Sequence, residues 1–145
     1  MNRLYNVLTV IVVMVGAFFA GHEALAEVLT GTASNDTLLG TDKEDRLKGR
    51  GGDDYLKGSG GDDYLNGGGG DDTIEGGSGN DEIIPGEGDD VVLAGAGDDL
   101  IFARDTDGVD FIDCGGGFDK VETIHRDDRT KSNCERALGP RQGDI

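Results

Sequence analysis

The sequence predicts an all-β repeat fold. Three observations lead to this prediction: a nine-residue period between Gly31 and Glu122, an aliphatic residue at the eighth position of every frame, and an aspartate at the sixth. A fixed short period is typical of a solenoid, in which each repeat packs only on its neighbours.

The repeat comprises ten frames, of which the frame at Ala103 is eleven residues long. The frames begin at Gly31, Gly40, Gly49, Gly58, Gly67, Gly76, Pro85, Ala94, Ala103 and Cys114. The eighth-position residues are Leu38, Leu47, Leu56, Leu65, Ile74, Ile83, Val92, Ile101, Ile112 and Val121. The sixth-position residues are Asp36, Asp45, Asp54, Asp63, Asp72, Asp81, Asp90, Asp99, Asp110 and Asp119. In the long frame, both positions are counted back from its end.

Each frame divides into two parts by local preference. Its first six residues are rich in glycine and aspartate, so we expect a tight turn there. Its last three residues favour a short strand, in which alternate side chains face opposite ways. The aliphatic residue then faces inward and its two neighbours face outward.

The composition taken alone is typical of a disordered acidic chain. The 145 residues include 27 glycines and carry a net charge of −17. This charge argues against nucleic-acid binding, which needs lysine and arginine, and favours cations as partners. Disorder requires acids but not an aspartate two residues before every aliphatic residue, so the regular spacing favours the repeat fold.

The frames GGGGDDTIE (67–75) and GGSGNDEII (76–84) resemble the glycine-rich nonapeptide repeats of the RTX family. That pattern, G-G-x-G-x-D-x-U-x with U a large aliphatic residue, is a calcium-binding parallel β-helix repeat. The resemblance implies a parallel β-roll of about five two-repeat turns, in which each loop lies over the loop two frames later.

Stacked aspartates would repel each other, and a hard cation with oxygen ligands would relieve this. The resemblance implies calcium between adjacent turns, held by Asp54 with Asp72, Asp63 with Asp81, Asp72 with Asp90, and Asp81 with Asp99. Each inner aspartate would bind two ions, one through each of its two oxygens. Loop carbonyls would complete each coordination shell: those of Gly52, Gly61, Gly70, Gly79, Gly88 and Gly97. We expect about four firm Ca²⁺ sites and at most eight, and a chain largely disordered without calcium. Oxygen-only loops disfavour magnesium and zinc.

The pattern weakens at three places. The first two frames, GTASNDTLL and GTDKEDRLK, lack glycine at positions two and four, so we expect looser loops and weak calcium binding. The long frame contains DTDGVD, which we interpret as a bulged turn rather than an EF-hand loop. The fifth position is often acidic, which allows extra ligation, but asparagine also occurs there and favours a turn role.

The N-terminus is typical of a secretory signal peptide covering 1–26. Arg3 precedes an apolar run from Val7 to Ala20, and Ala24-Leu25-Ala26 resembles a cleavage site. An uncleaved membrane anchor is the alternative. We therefore expect a secreted, extracellular protein whose β-roll spans 27–122, with the repeats over 31–122.

Residues 123–145 are expected to form a C-terminal cap. Export allows a disulfide between Cys114 and Cys134, with free thiols or an intermolecular bridge as alternatives. A disulfide would fold the tail back against the last turn.

The sequence lacks a complete catalytic motif, so we predict a calcium-binding protein without enzyme activity. Later frames carry an outward apolar stripe, which we expect the C-terminal tail to cover: Ile84, Val91, Leu93, Leu100, Phe102 and Phe111. This stripe suggests an alternative, a calcium-dependent adhesion or assembly module with weak self-association or a surface partner. A stand-alone module accompanying a separate secreted enzyme is the other alternative.

Overall fold

The chain forms a parallel β-solenoid without a described helix. The structure, a computed structural model, describes residues 27–104, 108–123 and 128–138. The predicted signal peptide and residues 105–107 of the long frame lie outside these ranges. In the described part of the chain, no helix has the length and apolar character needed to cross a membrane.

Thirteen strands alternate between two parallel sheets. They are β1 (Val28–Thr30), β2 (Thr37–Leu39), β3 (Arg46–Lys48), β4 (Tyr55–Gly60), β5 (Tyr64–Gly69), β6 (Thr73–Ser78), β7 (Glu82–Glu87), β8 (Val91–Ala96), β9 (Leu100–Ala103), β10 (Phe111–Asp113), β11 (Lys120–Thr123), β12 (Arg129–Thr130) and β13 (Glu135–Leu138). The odd-numbered strands form one sheet and the even-numbered strands the other, each in sequence order. The predicted β-roll of about five two-repeat turns is confirmed.

The register places equivalent frame positions on top of each other. Leu56 pairs with Ile74 in one sheet, and Leu65 pairs with Ile83 in the other, each 18 residues apart. Val91 pairs with Phe111, 20 residues away, so the two extra residues of the long frame are accommodated without shifting the sheet. Each strand therefore keeps its aliphatic residue on the inner face.

The core consists of two facing rows of aliphatic side chains, one row from each sheet. All ten eighth-position residues have no exposed surface, and Leu29, Ala94, Ala103 and the half-cystine Cys114 extend the row. The narrow space between the two sheets holds little else that is apolar. Every inner aliphatic residue is consequently a large share of its own turn's core.

The predicted division into turn and strand is wrong for the central frames. Strands β4 to β8 are six residues long and include the first three positions of the following frame. Ser59 pairs with Gly77, and Gly68 pairs with Gly86, although these residues have positive φ. Stacking on neighbouring strands extends the ladder through glycines that favour a turn in isolation, so only positions four to six form the turn.

The C-terminal tail packs on the last turn by adding one strand to each sheet. β12 pairs with β10, and β13 pairs with β11. The predicted disulfide is present: Cys114 and Cys134 are joined, with Cα atoms 5.4 Å apart. It ties the chain just before β13 to the beginning of the last predicted frame.

The tail covers the outward apolar stripe only in part. Lys131 lies over the ring of Phe111, with its Nζ 5.7 Å from the ring centre. Val91 and Leu93 stay 37% and 38% exposed. Ile84, Leu100 and Phe102 are half-buried.

We expect Ile74→Ala to lower the free energy of unfolding by about 2–5 kcal/mol, because it empties a fully buried site that neighbouring side chains cannot fill. Leu39→Ala is the matched control, since Leu39 is 48% exposed and should change stability by only about 0.5 kcal/mol. Urea unfolding in saturating calcium measures both. Equal losses of stability in the two variants would contradict a core made of these two inner rows.

Candidate metal centre

The sixth-position aspartates form two buried columns, one at the start of each sheet's strands. All ten are between 0% and 3% exposed. Each directly precedes a strand, so the register that stacks the strands also stacks the carboxyl groups. Neighbours in a column are the residues predicted to share an ion.

Each column is joined by hydrogen bonds from backbone to side chain. The Asp54 N–H donates to Oδ1 of Asp72 at 2.7 Å, and the Asp72 N–H donates to Oδ1 of Asp90 at 2.8 Å. In the second column, Asp63 and Asp81 donate in the same way to Oδ1 of Asp81 and Asp99. The structure thus brings together all four predicted pairs.

The two oxygens of a carboxyl group have different surroundings. Oδ1 accepts the hydrogen bond from the preceding turn, whereas Oδ2 is buried without a hydrogen-bond partner in a set of six: Asp54, Asp63, Asp72, Asp81, Asp99 and Asp119. The expectation that both oxygens serve an ion does not take this hydrogen bond into account. A buried acceptor without a partner is costly, so these Oδ2 atoms fit a cation.

Glycine at the first frame position leaves the space in which Oδ2 lies. A side chain built on Gly67 would meet Oδ2 of Asp72 and the carbonyl oxygen of Pro85. The predicted glycines at position four lie in the turns with positive φ, including Gly70 and Gly79. A side chain on Gly70 would meet the carbonyl oxygen of Gly52 at 2.5 Å, so the loops stack with no room for side chains.

The donor set suits calcium. Carboxylate and backbone carbonyl oxygens are the ligands of this hard cation, which accepts six to eight of them. In the described ranges, no three side chains from His, Cys, Asp and Glu converge on one point. A site in these loops therefore depends on carbonyls as well as on two aspartates.

Burial perturbs the ionisation of the central carboxyl groups. Together with the negative charges of Asp99 and Asp63, it raises the pKa of Asp81 to about 7, although the hydrogen bond that Asp81 accepts from Asp63 lowers this pKa. Burial likewise raises the pKa of Asp63, Asp72 and Asp99 to about 6, and raises that of Asp54. The columns hold negative charge at a cost, which a bound cation would offset.

Two further residues belong to the columns, and the sequence analysis missed both. The Asp110 N–H donates to Oδ1 of Asp128, and the Glu27 N–H donates to Oδ1 of Asp45. Residues 123–131 form an eleventh frame with Asp128 in sixth place. Thr130 stands at the position where the other ten frames have an aliphatic residue, so this frame does not match the repeat pattern.

The fifth-position residues form a separate, exposed ladder. The Asp71 N–H donates to Oδ1 of Asp53, and the Asp98 N–H donates to the side-chain oxygen of Asn80. Aspartate and asparagine play the same part in it, because either side chain supplies the acceptor. This supports the interpretation of position five as a turn residue.

Comparison with known families agrees with the geometry. The family model of the RTX calcium-binding nonapeptide repeat, a model of four copies, matches residues 30–65, 49–83, 57–92, 75–107 and 84–121. Together these matches cover more than half of the chain. A search of curated proteins found no match.

In calcium-free buffer, we expect more β-structure at about pH 5 than at about pH 8, because a raised pKa in the folded state stabilises that state at low pH. This stability is fully present below the ordinary carboxyl pKa of about 4. It is lost as the pH rises through about 6 to 7, the values of Asp72 and Asp81. Circular dichroism measures the change.

The double variant Asp72→Asn/Asp81→Asn is the control, since its amides do not titrate and part of the pH response should disappear. A folded fraction that rises with pH in the parent chain would contradict the prediction.

Proposed function

Because the chain belongs to the family of RTX calcium-binding nonapeptide repeats, we propose that it is a secreted calcium-binding β-roll that folds on binding Ca²⁺ and has no catalytic activity. One observation carries this proposal: two columns of buried aspartates, in which Oδ2 has no hydrogen-bond partner at Asp54, Asp63, Asp72, Asp81, Asp99 and Asp119. Calcium would supply the positive charge that these oxygens lack.

The aspartates of the central turns would hold the ions. We assign about four sites to the pairs Asp54 with Asp72, Asp63 with Asp81, Asp72 with Asp90, and Asp81 with Asp99, and loop carbonyls would complete each shell. Up to eight sites would fill both columns along the ten frames. Extracellular calcium modules commonly bind at about 10⁻⁴–10⁻³ M, and we propose this range.

Binding and folding would be coupled in this protein. Glycine-rich loops lose much backbone entropy on ordering, and each turn buries only two aliphatic side chains to offset it. The buried carboxyl groups add repulsion. Metal binding would supply the missing stability, as it does where no site exists in the unfolded chain.

Two features support export and the absence of catalysis. The disulfide between Cys114 and Cys134 suits a compartment outside the cytoplasm. Among the described residues, the buried acidic side chains all belong to the two stacked columns, where each carboxyl group serves the stack. We therefore propose that calcium has a structural role here.

Calorimetric titration with calcium tests the proposal on the purified chain. We expect several ions per chain and a gain of β-sheet signal over the same concentration range, with a much weaker response to magnesium. Asp72→Asn should remove up to two ions, because Asp72 belongs to two assigned pairs.

Asp71→Asn is the matched control for this titration. It lies next to Asp72 but belongs to the exposed ladder, in which asparagine already occurs at Asn80. The control should bind as many ions as the parent chain. Equal losses in both variants would contradict the assigned ligands, and no calcium binding by the parent chain would contradict the function.

A calcium-dependent assembly module is a second candidate, favoured by the outward apolar residues. Val91 and Phe111 are cross-strand partners, each 37% exposed, and Leu93 lies on the same face. A surface of this kind suits contact with a partner or a second copy.

Light scattering across a calcium titration distinguishes the two candidates. We expect a monomer at every calcium concentration if the protein only binds calcium. An increase in mass with calcium that Val91→Thr/Phe111→Thr abolishes would favour the assembly module instead.

A further inference from the structure

In the first two loops, donors from the loop itself reach Oδ2 of the aspartate. In the first frame, both the N–H and the hydroxyl of Thr32 donate to Oδ2 of Asp36, at 2.5 and 2.9 Å. In the second frame, Thr41 donates to Oδ2 of Asp45 in the same way, at 2.5 and 3.0 Å. These two threonines occupy position two of their frames.

The threonine hydroxyl both donates and accepts a hydrogen bond. It accepts a hydrogen bond from the N–H at position four, which is Ser34 in the first loop and Lys43 in the second, each at 3.2 Å. Its own hydrogen is therefore directed at the carboxylate. Each of these loops is a closed network made from its own residues.

The loops of the six frames from Gly49 to Ala94 have another backbone conformation at position two. There φ is positive, at 89° for Arg50, 86° for Ser59 and 121° for Gly68. The Arg50 N–H consequently donates to the carbonyl oxygen of Gly67 in the next turn, not to the aspartate of its own loop. Threonine is β-branched and resists positive φ, so its presence selects the first conformation.

The consequence is visible at Oδ2. In the threonine loops this oxygen has two donors, whereas Oδ2 of Asp54 and Asp63, in the next two loops, is buried with none. Two hydrogen bonds to an ionised carboxylate are strong and offset its burial. The donors also occupy the side of the carboxylate on which a cation would bind.

We propose that Thr32 and Thr41 close the first two loops to calcium, so that the calcium array begins with the carboxylates of Asp54 and Asp63. This inference rests on the proposed function and replaces the expectation that these loops are looser, weak calcium sites. It also lowers the upper limit on the number of calcium sites from eight to six. Asp36 and Asp45 keep the column's geometry through hydrogen bonds alone.

The position of the first threonine loop explains why its aspartate needs donors from within the loop. A site between two turns needs loop oxygens from both, and β2 is the first strand of its sheet among the described residues. An end loop has only part of a coordination shell available, so its aspartate needs donors from within the loop. Repeat arrays generally need modified end repeats of this kind.

The threonine loops also prepare the next turn. The Asp36 N–H donates to Oδ1 of Asp54 at 2.7 Å, and the Asp45 N–H donates to Oδ1 of Asp63 at 2.7 Å. These bonds orient the first two carboxylates assigned to calcium. The metal-free turn therefore positions the carboxylates of Asp54 and Asp63, with which the proposed calcium array begins.

Restoring glycine tests the inference. We expect Thr32→Gly/Ser34→Gly and Thr41→Gly/Lys43→Gly, combined in one chain, to bind one more calcium ion per altered loop than the parent. The matched control is Ala33→Gly/Asp42→Gly, which adds glycine at position three of the same loops and leaves both threonines in place. Calorimetry and native mass spectrometry of the full chain count the ions.

Each outcome of this experiment either supports or overturns the inference. A higher ion count in the restored chain alone supports the inference, and an unchanged count overturns it. Failure of the restored chain to fold in saturating calcium also overturns it, because calcium is expected to replace the lost donors. If the parent chain binds no calcium, the proposed function fails with it, whereas a parent that binds calcium isolates the test of the threonines.

The reverse change gives an independent test in the centre of the array. Gly68→Thr/Gly70→Ser builds a threonine loop in front of Asp72, and we expect it to bind one ion fewer than the parent. Gly68→Ala/Gly70→Ser is its control, since alanine supplies no hydroxyl. A loss of the same size in both would show that the missing glycine, and not the threonine hydroxyl, closes the site.

Discussion

The structure depends on the stacking of one carboxyl group per frame inside a narrow solenoid. From Asp45 onward, each sixth-position aspartate accepts a backbone hydrogen bond from the turn before it, which fixes the loop and the strand that follows. The same stacking buries one carboxyl group every nine residues. The hydrogen bonds that align the turns therefore also concentrate the negative charge that opposes folding, and the proposed calcium ions would offset this charge.

The aliphatic core is narrow. It is one double row that contains two large side chains per turn. A globular domain of similar length buries its apolar residues in several layers and gains stability from each. In this chain, each turn is stabilised by its neighbours, so the ends matter: β12, β13 and the disulfide cover one end of the described solenoid, and the hydrogen-bonded threonine loops lie near the other.

The sequence was most informative where a feature repeats within one frame. The inward position of Ile74 follows from strand alternation within the nine-residue frame, and the pairing of frames two apart was implied by the family resemblance. The sequence was misleading where a residue departs from the repeat. Thr130 concealed the eleventh frame, and Thr32 suggested a weakened loop when it completes another hydrogen-bond network.

The sequence by itself determined the repeat and the direction of its aliphatic side chains. These properties are local, since turn preference and alternation act over a few residues. The aspartate columns were implied by the family resemblance, and the pairing of Cys114 with Cys134 was one of the alternatives that the sequence left open. Only the tertiary structure decided the length of the central strands, the separate roles of Oδ1 and Oδ2 in Asp72, and the donors that Thr32 and Thr41 direct at their aspartates. Strand length and Oδ1 depend on contacts 18 residues apart, and the threonine donors depend on the φ of one residue. None of these is set by the repeat pattern.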